Sequence, residues 1–342
     1  MRLMARKAAL TWIALIFVFC CGTTVLAEDD GAGKPPQEAS QTSSAAPPKK
    51  AESPWLLEAK VKRFMNSHTS YEFGNPFPPN QVPLSRLEFP LDSTWGGLEV
   101  RRSISRFSIG AEFLTSFADQ ETGTFKDSDW ADDSSPLRLT NYGETDTRLK
   151  PSYQVRTDLD MQVADWLGLS KRLDLRPVIG FRWQRFSLVA HDGQQYNYDT
   201  PGDPPSVIPL PNDTIAFKQS WYHYFVGLKA GYDLGPQFGL HRLRLRTQLD
   251  WAYVEGANED RHLLRGDRVT RENTYGDAWH GLLEVLAGLT ENVDLGVEFD
   301  YLRIRTTGTH ELRFDSYDMS WSNGVKVWSE QTSILLKLAY RF

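Results

Sequence analysis

His241-Arg-Leu-Arg-Leu-Arg-Thr-Gln-Leu-Asp-Trp-Ala-Tyr-Val-Glu-Gly256 sorts its side chains by parity. Leu243, Leu245, Leu249, Trp251 and Tyr253 fall on odd positions, while Arg242, Arg244, Arg246, Gln248 and Asp250 fall on even ones. Successive side chains of a strand point to opposite faces, so this is a strand with one apolar wall and one charged wall. In a soluble sandwich the apolar wall is core and the charges meet water. In a transmembrane barrel the apolar wall meets lipid and the charges line a wet interior.

The same pattern recurs outward from this strand. Tyr222, Tyr224, Val226, Leu228, Ala230 and Tyr232 oppose His223, Lys229 and Asp233. Val293, Leu295, Val297, Phe299 and Tyr301 oppose Asp294, Glu298 and Asp300. The last segment sets Ile334, Leu336, Leu338, Tyr340 and Phe342 against Lys337 and Arg341. These runs are long beside the usual strand of about 5–6 residues. The terminal aromatic within an alternating strand matches the signal by which barrel assembly machinery takes up outer-membrane barrels. The expectation is therefore all-β: a transmembrane, antiparallel, up-and-down β-barrel of ten strands. They are predicted at 57–73, 85–102, 106–118, 147–165, 174–190, 216–234, 240–256, 272–289, 293–310 and 326–342. Short turns fall near Ser103, Gly168, Gly235 and Glu291. Long polar loops, expected to be extracellular, fall at 74–84, 119–146, 191–215, 257–271 and 311–325.

Composition agrees. The 342 residues carry 38 basic and 44 acidic side chains, a net charge of −6, with 12% aromatics. Such aromatic content argues against disorder, and an acidic excess argues against a nucleic-acid partner. Residues 1–27 read as a signal peptide: Arg2, Arg6 and Lys7, an apolar run from Ala8 to Cys21, then Val25-Leu26-Ala27. Its removal takes away Cys20 and Cys21, leaving 35 basic against 44 acidic side chains, a net of −9 and no thiol. Residues 28–53, rich in Pro, Ala, Ser, Gln and Lys, read as a disordered leader, and 54–342 as the barrel. No later stretch approaches the roughly 18 consecutive apolar residues of a spanning helix.

Standard catalytic motifs are few. There is no GxGxxG, P-loop, HExxH or GxSxG, and His310-Glu311 lacks a second histidine for zinc, so no metal site is expected. Two constellations carry chemistry. Asp127 and Asp129, within Lys126-Asp127-Ser128-Asp129-Trp130, share a face if the chain is extended. In Asn258-Glu259-Asp260-Arg261-His262, even parity turns Asp260 and His262 inward together. An Asp accepting from one imidazole nitrogen leaves the other to take a proton from water. Either constellation alone also reads as a solvated acidic loop tip.

Together, Gly123-Thr-Phe-Lys-Asp-Ser-Asp-Trp130 and an Asp-x-His after a Trp-bearing strand resemble the omptin family of outer-membrane proteases. Leu84-Ser85-Arg86-Leu87-Glu88-Phe89 and Phe217-Lys218-Gln219 extend the similarity over nearly all of 57–342. The resemblance implies an endopeptidase at the cell surface, acting on peptides or proteins, with Asp127 and Asp129 facing the Asp260–His262 dyad. It implies a specificity glutamate at Glu72, no cofactor, and a contribution from outer-membrane lipopolysaccharide. The chain departs from the family at Asn258, where the partner acid of the specificity pocket is expected. Of the lipopolysaccharide cluster only Arg185 matches, with Phe181, Trp183 and Ser220 substituted or weakly matched. Two other readings compete: a non-enzymatic barrel serving adhesion or structure, and a lipid-modifying barrel using His68, Ser70 and Glu72 on one face.

Overall fold

The computed structural model describes residues 55–266, 268–314 and 317–342; the expected signal peptide and leader lie outside them. Fourteen strands form one antiparallel sheet. The first six are β1 (Trp55–Phe64), β2 (His68–Phe73), β3 (Ser85–Pro90), β4 (Thr94–Ile104), β5 (Phe107–Ser116) and β6 (Gln120–Asp129). The next four are β7 (Asn141–Met161), β8 (Leu173–Asn197), β9 (Ser206–Gly235) and β10 (Arg242–His262). The last are β11 (Arg268–Gly288), β12 (Val293–Phe314), β13 (Tyr317–Trp321) and β14 (Lys326–Arg341).

The sheet closes on itself in ten staves. β1 pairs with β4 and, on its other edge, with β14, which returns to β12. Above this ring, β2 carries on the line of β1, β3 that of β4 and β6 that of β5, so that β14, β2, β3, β6 and β7 pair in turn. A closed barrel leaves no sheet edge unpaired, as a bilayer requires.

Burial separates the two environments that the alternation left open. Leu249 on β10 and Val226 on β9 are 59% and 53% exposed, whereas inward Asp250 is 3% exposed. The apolar wall faces out and the charged wall faces in, the polarity of a membrane barrel. On β10 the outward series runs Leu249, Trp251, Tyr253 and then turns polar at Glu255, Glu259 and Arg261. The apolar band ends there, with aromatics at its border, and the strands continue into water.

Several strands run further than expected. The third stave extends to Asp129 and the fourth starts at Asn141, leaving a connection of 130–140 rather than 119–146. β9 starts at Ser206 and β10 reaches His262, so both expected site motifs lie on strands. Above the lipid band the outer face meets water and the inner face turns polar, and the hydrophobic alternation that marks a strand fades.

The lumen is charged below, around a recess of about 410 Å³, and aromatic at mid-height. In its lower half Lys60 bonds Glu112 at 2.6 Å and also Glu99. Arg101 reaches Asp158 and Asp160 at 2.9 Å each. His280 bridges Asp250 at 2.7 Å and Asp300 at 2.8 Å. Halfway up, Phe64, Trp95 and Phe186 meet edge to face at centroid distances of 5.6, 6.4 and 5.7 Å. Trp221 lies over Gly256, where an added Cβ would come within 2.5 Å of the indole. A second layer stacks Phe89 on Phe217 at 4.1 Å and on Phe125 at 4.5 Å. The site rests on this layer.

Candidate active site

Inward residues of β10 ascend from charge through Ala252, Val254 and Gly256 to Asn258, Asp260 and His262. β6 brings Asp127 and Asp129 to the same level, because its register pairs them with Leu87 and Ser85 of β3. Asp127, Asp129, His262 and Arg265 line both a cleft of about 330 Å³ beside β2, β3 and β11–β13 and a small hollow of about 50 Å³ toward β7 and β9. They form the waist between two recesses. Asp260, fully buried, stands behind the imidazole.

His262 Nε2 lies 3.5 Å from Asp260 Oδ2 and accepts a hydrogen bond from Arg268 Nη2 at 2.9 Å. The hydroxyl of Tyr71 donates to the same Asp260 oxygen, while Oδ1 has no hydrogen-bond partner. Burial pushes the Asp260 carboxyl up to about 7; Tyr71 opposes this, Glu272 adds to it, and Arg268 and Arg265 pull it back. Burial, then the charges of Arg268 and Arg265, holds His262 well below the usual imidazole range. Asp127 is pushed well above the carboxylate range, first by burial and then by Asp129 and Asp260. Its Oδ1 also lacks a partner. Desolvation and the neighbouring Asp129 both favour the protonated form of Asp127.

Glu72, the expected specificity acid, points elsewhere. Tyr71 and Phe73 face the cleft, so Glu72 between them faces the outer wall. There Arg86 holds it at 2.7 and 3.0 Å and Lys326 at 2.8 Å. Against burial, these cations keep its carboxyl below the usual range. Ser70 shares that outward parity, and with Glu72 engaged by two cations no His68–Ser70–Glu72 relay forms. Asn258 faces inward, its Oδ1 accepting from Gln219 at 3.1 Å. Arg185 is exposed on the outer wall beside Tyr153 and Ser220, just above the apolar band.

Five residues at the site were not anticipated: Tyr71, Arg265, Arg268, Glu272 and His310. Glu272 and His310 face each other across β11 and β12, with Oε1 2.7 Å from Nδ1. Both continue the even inward parity of their strands, a signal the sequence did contain. Arg268, the first residue of β11, shares that even parity, whereas Arg265 sits in the turn beyond the end of β10, where parity says nothing.

Comparison with known proteins places the fold and the family. The model of the Omptin family matches residues 85–337. Among solved structures, the crystal structure of outer membrane protease OmpT from Escherichia coli superposes with a TM-score of 0.73 at 18% identity, covering 86% of this chain and 99% of that one. The translocator domain of the autotransporter NalP from Neisseria meningitidis matches with a TM-score of 0.35 at 9% identity over 85% and 89% of the two chains. Neisserial surface protein A gives 0.28 at 13% identity over 86% and 100%. No curated protein sequence matches the chain. The family match spans most of the barrel and includes every residue at the waist of the cleft, and the chain belongs to the omptin family.

Proposed function

We propose that the protein is an outer-membrane endopeptidase, cleaving peptides or proteins at the cell surface with a water molecule activated by His262. The observation that carries this reading is the shared cleft: Asp127, Asp129 and His262 line it together, with Asp260 behind the ring. The E. coli structure that the chain resembles in fold is that of an outer membrane protease, which agrees with this reading.

Nε2 is turned toward Asp260, so Nδ1 is the nitrogen left to take a proton from water. The resulting hydroxide adds to the scissile carbonyl. Asp127, which burial and Asp129 make hold its proton more firmly than an ordinary carboxyl, donates a hydrogen bond to the oxygen on which charge develops, and Asp129 holds the water. Ionised Asp260 stabilises the imidazolium, which then returns its proton to the leaving amine. Arg268 must release Nε2 first, because its hydrogen bond favours the tautomer with the proton on Nδ1.

Lipopolysaccharide is the proposed activating lipid. Arg185 stands at headgroup height on the outer wall, suited to a phosphate. The test is the purified, refolded barrel on a peptide library with and without lipopolysaccharide. Wild type should cleave, and His262→Ala, Asp260→Asn, Asp127→Ala and Asp129→Ala should each lose activity. Variants as active as wild type, or a wild type inert in every lipid condition, would leave an adhesive or structural barrel as the better reading.

A further inference from the structure

We propose that the larger recess beside His262 is a subsite for a big apolar or aromatic substrate side chain, not for lysine or arginine. This rests on the protease reading and names its substrate class. The walls are Tyr71, Phe73, Leu87, Leu312, Met319 and Trp321, and the volume is about 330 Å³. Aromatic packing makes these walls rigid. Phe73 stacks on His310 at 4.0 Å, Trp321 tilts against the same ring at 4.4 Å, and its indole nitrogen donates to the Gly74 carbonyl at 2.9 Å.

A cationic side chain entering here finds no acid of its own. Glu72 is on the outer wall, held by Arg86 and Lys326. Glu272 is 1% exposed and lies behind His310, whose imidazole is 2.7 Å from its carboxylate. Asn258 offers an amide, with its oxygen already bonded to Gln219. The carboxylates that do reach the recess, Asp127 and Asp129, belong to the reacting centre. Arg265 and Arg268 also line the recess, and they repel a guanidinium or ammonium. An apolar side chain meets none of these penalties and exchanges water for aromatic contact.

Selectivity between a well-fitted apolar group and a poorly accommodated one is commonly about 10–200-fold in kcat/KM. The experiment uses the refolded full-length mature barrel with lipopolysaccharide and peptides randomised on both sides of the scissile bond. Phe, Leu or Trp at one flanking position should be preferred over Lys or Arg by at least about tenfold. Leu312→Glu, which places a carboxylate in the wall near a strand end, should raise cleavage at Lys and Arg by at least about tenfold and lower it at Phe. Trp321→Ala should raise KM for aromatic peptides more than it lowers kcat. Wild-type cleavage dominated by Lys or Arg overturns the subsite assignment and leaves the protease reading standing. An unchanged preference in Leu312→Glu overturns the wall assignment, and an absence of cleavage from every peptide overturns both readings.

Discussion

The lower and upper halves of the lumen are built from the same residue types and use them in opposite ways. Below the aromatic layer, cations and carboxylates are matched. Lys60 sits between Glu99 and Glu112, Arg101 between Asp158 and Asp160, and Lys337 on Glu284. Above it, carboxylates are gathered with too few partners: Asp127 lies beside Asp129, and one oxygen each of Asp127 and Asp260 has no hydrogen bond. Matched charge ties the staves to one another. Mismatched charge holds protons where solution chemistry would not, which is the mark of a reacting centre.

The sharpest way to break this contrast is to remove one group from each half. His262→Ala should reduce kcat by about 10²–10⁴-fold with the fold intact, measured by peptide cleavage beside circular dichroism. Lys60→Met should do the reverse. It leaves Glu99 and Glu112 without their shared cation at a cost of about 3–5 kcal/mol, read as a lower urea midpoint in refolding titrations, while kcat stays unchanged. If Lys60→Met also abolished cleavage, the halves would not be separable.

Acidity offers a finer test. A carboxyl raised to about 7 is protonated below that pH, and a protonated Asp260 cannot stabilise the imidazolium. Activity should therefore fall as pH drops through about 7. The cause is Asp260, because His262, held well below its ordinary value, is still neutral there. Tyr71→Phe removes the hydrogen bond that favours the ionised form, so the acid limb should move to higher pH. A limb that moves down would reverse the assigned role of Tyr71.

The smallest expected effect is at Arg268. Arg268→Ala frees Nε2 and removes a nearby positive charge, so the His262 pKa should rise toward the ordinary imidazole range. Histidine NMR shifts would follow it directly. A histidine that titrates as before would mean that Arg268 does not govern the ring.

Most of the barrel was legible because lipid imposes contrast. Each membrane-level stave has one face in hydrocarbon and one in a charged lumen, and β10 carried that parity unbroken to Asn258, Asp260 and His262. The assignment at Glu72 failed for the opposite reason. In His68–Phe73 the residues Thr69, Ser70, Tyr71 and Glu72 are all buried. The outer face there is covered by Arg86 and Lys326, so the two faces look alike and a one-residue shift goes unnoticed. The reach of β6 to Asp129 was hidden similarly: Glu121, Thr124, Lys126 and Ser128 give no apolar wall above the lipid. Arg265 depends on how the chain turns between β10 and β11, which no periodicity encodes.

The edge-to-face rings of Phe64, Trp95 and Phe186, with Trp221 laid over Gly256, also bear on passage through the molecule. A tube stoppered at mid-height is not a conduit. From the lower mouth, the path up the lumen ends on this aromatic layer. Under the proposed protease reading, a peptide that enters the upper cleft leaves by the mouth through which it came, and so do its fragments.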